Sequence, residues 1–189
     1  MNISVKDIWL APNLLSLFRL LLALPILIIF INYNNLEGAN YYILLIIMVA
    51  FLSDLLDGFV ARKLNCVSEL GKIIDPIADK TLTAIIVISM WYYEYFSDIF
   101  LLIIVARDLL ILVSGIIVSK KIGYVIPSDY IGKSTIFSIG LLIIFKLSFN
   151  NAPGIINNLL SAIVIILAII SLINYFIKGI KILKSNGNF

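Results

Sequence analysis

Long apolar runs, interrupted at near-regular intervals by short polar breaks, constrain this chain more than any other feature. They fall at about 10–32, 41–62, 72–92, 98–118, 131–148 and 155–176. Each is close to the roughly 20 residues a helix needs to cross a bilayer. Composition points the same way: 62% of the 189 residues are hydrophobic, 13% are charged, and the mean hydropathy is +1.11. A soluble domain of this length needs about a quarter charged residues at its surface, and a disordered chain needs low hydrophobicity with high net charge. The fold class that follows is an all-α integral membrane protein of six transmembrane helices, forming one catalytic-sized domain over residues 1–189.

The breaks carry turn chemistry, as in Asn32-Tyr33-Asn34-Asn35, Ser97-Asp98, Pro127-Ser128-Asp129 and Pro153-Gly154. Aromatic residues collect at the ends of the runs (Trp9, Tyr41, Tyr42, Trp91, Tyr92, Tyr93, Tyr95), as membrane interfaces favour. Only Tyr95 to Asp98 separates the third span from the fourth, which predicts a tight hairpin. Lys6, the Arg62–Lys72 connection, Lys120, Lys121, Lys133, Lys178, Lys181 and Lys184 fall on one side of a six-span scheme. The opposite connections carry Glu37, Glu94 and Asp98 without Lys or Arg, so the positive-inside rule places both termini in the cytoplasm. The first run is too long for a cleaved signal peptide and contains Arg19. The net charge of +3 is too small to suggest nucleic acid as a partner.

Charges inside the apolar runs are the chemical signal. Asp54, Asp57, Arg62, Asp75 and Asp79 lie within 26 residues. An Asp within a span costs about 2.5–3.5 kcal/mol on insertion scales, less near an interface. Asp54, Asp57, Gly58 and Ala61 recur at i, i+3, i+4 and i+7, one helix face; Gly71, Asp75, Ala78 and Asp79 recur at i, i+4, i+7 and i+8, again one face. A short link joins the two stripes, so four carboxylates are expected to converge near the cytoplasmic ends of spans two and three. The chain has no His and a single Cys, Cys66, so metal or acid–base chemistry falls to such groups. Hard carboxylate oxygens suit Mg²⁺ or Mn²⁺, and divalent ions so held commonly serve phosphate chemistry, with a spare carboxylate to deprotonate an incoming hydroxyl. Asp79 is the candidate for that role. The competing reading makes these helix-end charges paired in water with Arg62, Lys63, Lys72 and Lys80.

Residues 54–79 spell D-x2-D-G-x2-A-R-x8-G-x3-D-x3-D. This pattern resembles the CDP-alcohol phosphotransferase family at every fixed position. Pro12-Asn13-Leu14-Leu15-Ser16-Leu17-Phe18-Arg19, Asp75-Pro76-Ile77-Ala78-Asp79-Lys80 and Tyr175-Phe176-Ile177-Lys178-Gly179 are similar to segments of bacterial phosphatidylglycerophosphate synthases within it. The resemblance implies six transmembrane helices, often in a homodimer, and displacement of CMP from a CDP-linked donor by an alcohol. It implies that Asp54, Asp57 and Asp75 bind two divalent ions with Asp79 as base and further metal contact. Gly58, Ala61, Arg62, Gly71 and Asn13 would then line the CDP-donor site. The expected partners are CDP-diacylglycerol, a small alcohol acceptor and membrane lipids.

Arg107, beside Asp108 deep in span four, and Lys133, at the start of span five, are the acceptor-side candidates. For Arg107 an ion pair with a nearby carboxylate is an equal alternative. Glycerophosphate-using relatives often carry Gly-Lys-x-Lys-Thr at span five, where this chain has Gly132-Lys133-Ser134-Thr135-Ile136. The favoured acceptor is sn-glycerol 3-phosphate; phosphatidylglycerol or an inositol phosphate is the alternative. An intramembrane prenyltransferase and a cation carrier are more remote readings, and neither would release CMP.

Overall fold

The computed structural model describes residues 10–64, 71–122, 130–149 and 153–186. Seven helical segments, α1 (Ala11–Leu21), α2 (Ala23–Ile31), α3 (Ala39–Leu64), α4 (Gly71–Tyr92), α5 (Asp98–Ile122), α6 (Tyr130–Ser148) and α7 (Gly154–Asn186), account for nearly all of them, with no strand among the described residues. The chain divides into two compact units, Met1–Tyr93 and Glu94–Phe189.

The first expected span is a bent rod made of α1 and α2. Pro12 sits in the first turn of α1, where its missing N–H costs nothing. Pro25 lies just inside α2 and cannot donate to the carbonyl four residues back, so the helix breaks at Leu22 while that residue keeps helical angles. Gly38, at φ 74°, supplies the left-handed turn that starts α3. Glu94, at φ 63°, takes the same conformation after α4, where glycine is commoner. At the start of α5 the Ser97 hydroxyl accepts the Phe100 amide proton at 3.3 Å, an N-cap.

Helix boundaries follow the expected spans closely, with two corrections. α5 continues to Ile122 and α7 to Asn186, beyond the apolar runs, and the lysines at 178, 181 and 184 lie within the last helix, as their i, i+3, i+6 spacing on one helix face leads one to expect. Apolar windows alone mark the lipid-buried length and miss a helix that continues into a polar end. Stretches within four of the expected spans are long and apolar enough to cross a membrane: Asn13–Ile31, Ala39–Leu56, Tyr130–Ser148 and Gly154–Ile182. Their outward faces suit lipid rather than water: Ile31 is 77% exposed, Tyr41 78% and Leu45 63%.

In the first unit α1 and α2 each pack on α3 and α4, around Ala23, Ile26, Ile43, Ala78, Leu82, Val87 and Met90. One end is tied by aromatics: Tyr93 donates its hydroxyl proton to the Phe30 carbonyl, its ring lies 4.5 Å from that of Tyr33, and Tyr33 donates to Asn40 at 2.5 Å. In the second unit α7 is the central partner of both α5 and α6. Lys146, buried in the last turn of α6, donates to the Tyr95 carbonyl at 2.5 Å with its ammonium 4.8 Å from the Phe96 ring centroid.

Candidate active site

The inward face of α1 changes character along its length. Asn13, Ser16 and Arg19 recur every three residues and are 2%, 0% and 3% exposed, after which the buried positions turn apolar at Ala23, Ile26 and Phe30. A polar stripe in an otherwise apolar helix is costly in a membrane unless partners face it. For Arg19 those partners come from both helices that pack on α1: its Nη1 lies 2.8 Å from Oδ1 of Asp54 on α3, and also contacts Oδ1 of Asp79 on α4.

Helix register explains the meeting. Measured from the aromatic end, Asp54 lies 15 residues after Ala39, Asp79 lies 13 before Tyr92, and Arg19 lies 12 before Ile31. At about 1.5 Å per residue the three sit roughly 18–23 Å from that end, at matching depth. Both carboxylates are about half exposed, 50% for Asp54 and 48% for Asp79, while the guanidinium is buried between helices. Ala78, 1% exposed beside Asp79, keeps α4 close to its neighbours. Two accessible carboxylates, each placing an oxygen on one nitrogen, form a hard-oxygen donor set that fits a divalent cation. Among the described residues no group of three such ligands is gathered.

The sequence-predicted residues divide clearly. Asp54 and Asp79 are brought together, and Asn13 is buried on the same face of α1 as Arg19. Asp57, Gly58, Ala61, Arg62, Gly71 and Asp75 occupy helical positions of α3 and α4, with side chains outside the described residues. Among the described side chains a cation that meets both Asp54 and Asp79 is Arg19, which spacing had not paired with them. Its available signal was a charge in the first span with no opposite charge on its own helix.

In the second unit Arg107 is 3% exposed. Its Nη1 donates to Asp108 at 2.5 Å and its Nη2 to the buried Ser171 hydroxyl on α7 at 2.8 Å. Its Nε is buried without a hydrogen-bond partner among the described residues. The anticipated ion pair is therefore present, and Ser171 is a partner that sequence reading missed. Lys133 is exposed in the first turn of α6. Thr135, where relatives often place a second lysine, is fully buried, with its hydroxyl 2.7 Å from the Ile131 carbonyl and 3.2 Å from that of Leu167 on α7.

Residues 9–174 match the sequence model of the CDP-alcohol phosphatidyltransferase family. The chain belongs to that family. It is thus a transferase of this type and an integral membrane protein. It is 34% identical to the CDP-diacylglycerol–glycerol-3-phosphate 3-phosphatidyltransferase of Aquifex aeolicus over 182 residues, spanning 91% of this chain and 97% of that protein. The same-named protein of Mycoplasma pneumoniae is 37% identical over 117 residues, 53% of this chain and 51% of its own length. The CMP-forming cardiolipin synthase of Rattus norvegicus is 39% identical over 110 residues, 58% of this chain and 35% of that protein.

Proposed function

We propose that this transferase makes phosphatidylglycerophosphate, moving the phosphatidyl group of CDP-diacylglycerol to sn-glycerol 3-phosphate and releasing CMP. The observation that carries the reading is the convergence of Asp54 and Asp79 on Arg19 at matching depth along α1, α3 and α4. A relative of this printed activity that aligns over 97% of its own length supports the choice of acceptor. Membrane embedding suits the donor, whose acyl tails remain in lipid while its headgroup enters a polar pocket.

In this mechanism Asp54, Asp57 and Asp75 would hold two divalent ions, Mg²⁺ or Mn²⁺, with Asp79 as a further ligand. When bound, such ions neutralise the diphosphate and the charge that develops on departing CMP. Asp79 accepts the proton of the acceptor hydroxyl as its oxygen attacks the lipid-side phosphorus. The new P–O bond forms as the bond to CMP breaks, and CMP leaves with that electron pair. Asn13, Gly58, Ala61, Arg62 and Gly71 line the donor site, the small residues giving the nucleotide room against backbone. Arg107 and Lys133 serve the acceptor phosphate. We place both termini and the site on the cytoplasmic face of a six-span, single-domain homodimer.

A second reading, phosphatidylglycerol as acceptor, draws support from the rat cardiolipin synthase match. The test is CMP release from CDP-diacylglycerol by purified protein with Mg²⁺, across glycerol 3-phosphate, phosphatidylglycerol, serine, inositol and inositol phosphate. Release with glycerol 3-phosphate alone is the expected result. Release with phosphatidylglycerol alone overturns the acceptor, and silence with all five overturns the reaction.

A further inference from the structure

Arg19 is a buried cation with a geometry of its own. A surface arginine commonly grips one carboxylate with two nitrogens. Here Nη1 contacts both Oδ1 of Asp54 and Oδ1 of Asp79, carboxylates carried by different helices. One positive centre bridging two carboxylates from α3 and α4 is the same arrangement that a bridging metal ion makes. The guanidinium is 3% exposed and belongs to α1, so it approaches from the protein side, whereas the two carboxylates are about half exposed and open on their other side.

We propose that Arg19 is an internal counter-cation for the metal site, a positioning residue that holds Asp54 and Asp79 in register and competes with divalent ions for them. The inference rests on the reading above that these carboxylates are metal ligands. Two like charges on neighbouring helices repel, and repulsion within a membrane drives such helices apart or protonates a carboxylate. A guanidinium cannot lose its charge, so Arg19 keeps the pair assembled whatever the supply of divalent ion. The same contact sets an affinity limit. An arriving dication must share or take oxygens that Arg19 contacts, against the repulsion of a nearby positive charge. Linkage makes this reciprocal: whatever favours Arg19 on the carboxylates weakens the metal by the same factor. Arg19 would thereby let the site load at millimolar free Mg²⁺ without gripping the ions so firmly that CMP cannot leave.

The test uses the full chain purified in detergent, stripped with chelator, then titrated with MgCl₂ alone while thermal unfolding and binding heat are followed. Arg19→Gln is expected to unfold at a lower temperature than wild type without Mg²⁺. It is also expected to bind Mg²⁺ at least about fivefold more tightly, the low end of usual coupling between sites, and to gain more stability on saturation. Arg19→Lys keeps the charge and should move the titration less. Should Arg19→Gln fail to fold, Arg19→Lys decides alone: a smaller shift toward tighter binding supports the proposal, and an unchanged titration overturns it. Equal Mg²⁺ titrations in wild type and Arg19→Gln would reduce Arg19 to a packing role. Weaker binding in the variant would make it an organiser of the metal ligands and overturn the competition. No Mg²⁺ response in wild type would remove the metal reading itself, and the present inference with it.

Discussion

Replacing Ser171 with alanine tests how much the buried guanidinium of Arg107 depends on a partner 64 residues away in sequence. The Ser171 hydroxyl is 1% exposed and accepts from Nη2 at 2.8 Å. Hydrogen bonds to charged groups are worth about 1.5–3 kcal/mol in soluble proteins, whereas side-chain hydrogen bonds inside membrane proteins average about 0.6 and reach about 1.7. The upper part of the membrane range applies, because Nε already lacks a partner among the described residues and Nη1 is committed to Asp108. Ser171→Ala is therefore expected to cost about 1–1.7 kcal/mol. Arg107→Met leaves Asp108 without its cation and should cost about 3–5 kcal/mol, the range for breaking a buried pair. The double variant should cost no more than Arg107→Met alone, since the serine then has no charge to satisfy. Reversible unfolding in mixed micelles by denaturant titration, run on all four proteins, gives the coupling energy directly. Additive losses would refute the reasoning, because the contact would then contribute nothing as a pair.

Asp79→Asn should retain Mg²⁺ and donor binding yet lose CMP release by at least about a hundredfold, the lower range for a general base; substantial turnover would remove Asp79 from that role. Thr135→Lys should lower the unfolding temperature rather than improve glycerol 3-phosphate use, because it drives an ammonium into a fully buried position on the α6–α7 seam. A lower acceptor KM with unchanged stability would contradict this. At Gly115 an added Cβ would lie 2.8 Å from the Tyr175 hydroxyl oxygen, so Gly115→Ala should cost about 1–3 kcal/mol by overpacking. Adding Tyr175→Phe should recover most of the loss, and no recovery would place the strain elsewhere.

Much of the architecture was legible in the residue order. The run at 131–148 became α6 at Tyr130–Ser148, and the run at 72–92 became α4 at Gly71–Tyr92, because in a bilayer any long apolar segment must satisfy its own backbone as helix. The apolar run alone did not show where α7 ends, and only the three-residue spacing of its lysines pointed to a continued helix face. Beyond Phe176 its hydrophobicity is diluted by Lys178, Lys181 and Lys184, while helical hydrogen bonding continues to Asn186. Lys146 also escaped the charge pattern, since its role depends on a turn 51 residues earlier, where the Tyr95 carbonyl accepts its proton.

The sequence by itself determined that the chain is a membrane-embedded helical protein, and the spacing from Asp54 to Asp79 determined its chemical family. Both are local properties: apolar length sets the span, and the 3.6-residue repeat sets which residues share a face. Only tertiary structure decided which cation meets those carboxylates. Among the described side chains, Arg19 on α1 meets both Asp54 and Asp79, although it lies 35 residues before the first of them in sequence. Periodicity says which way a charge faces within its own helix. What stands opposite depends on the packing of that helix and on matching depth along it, and neither is written in the spacing of a single segment.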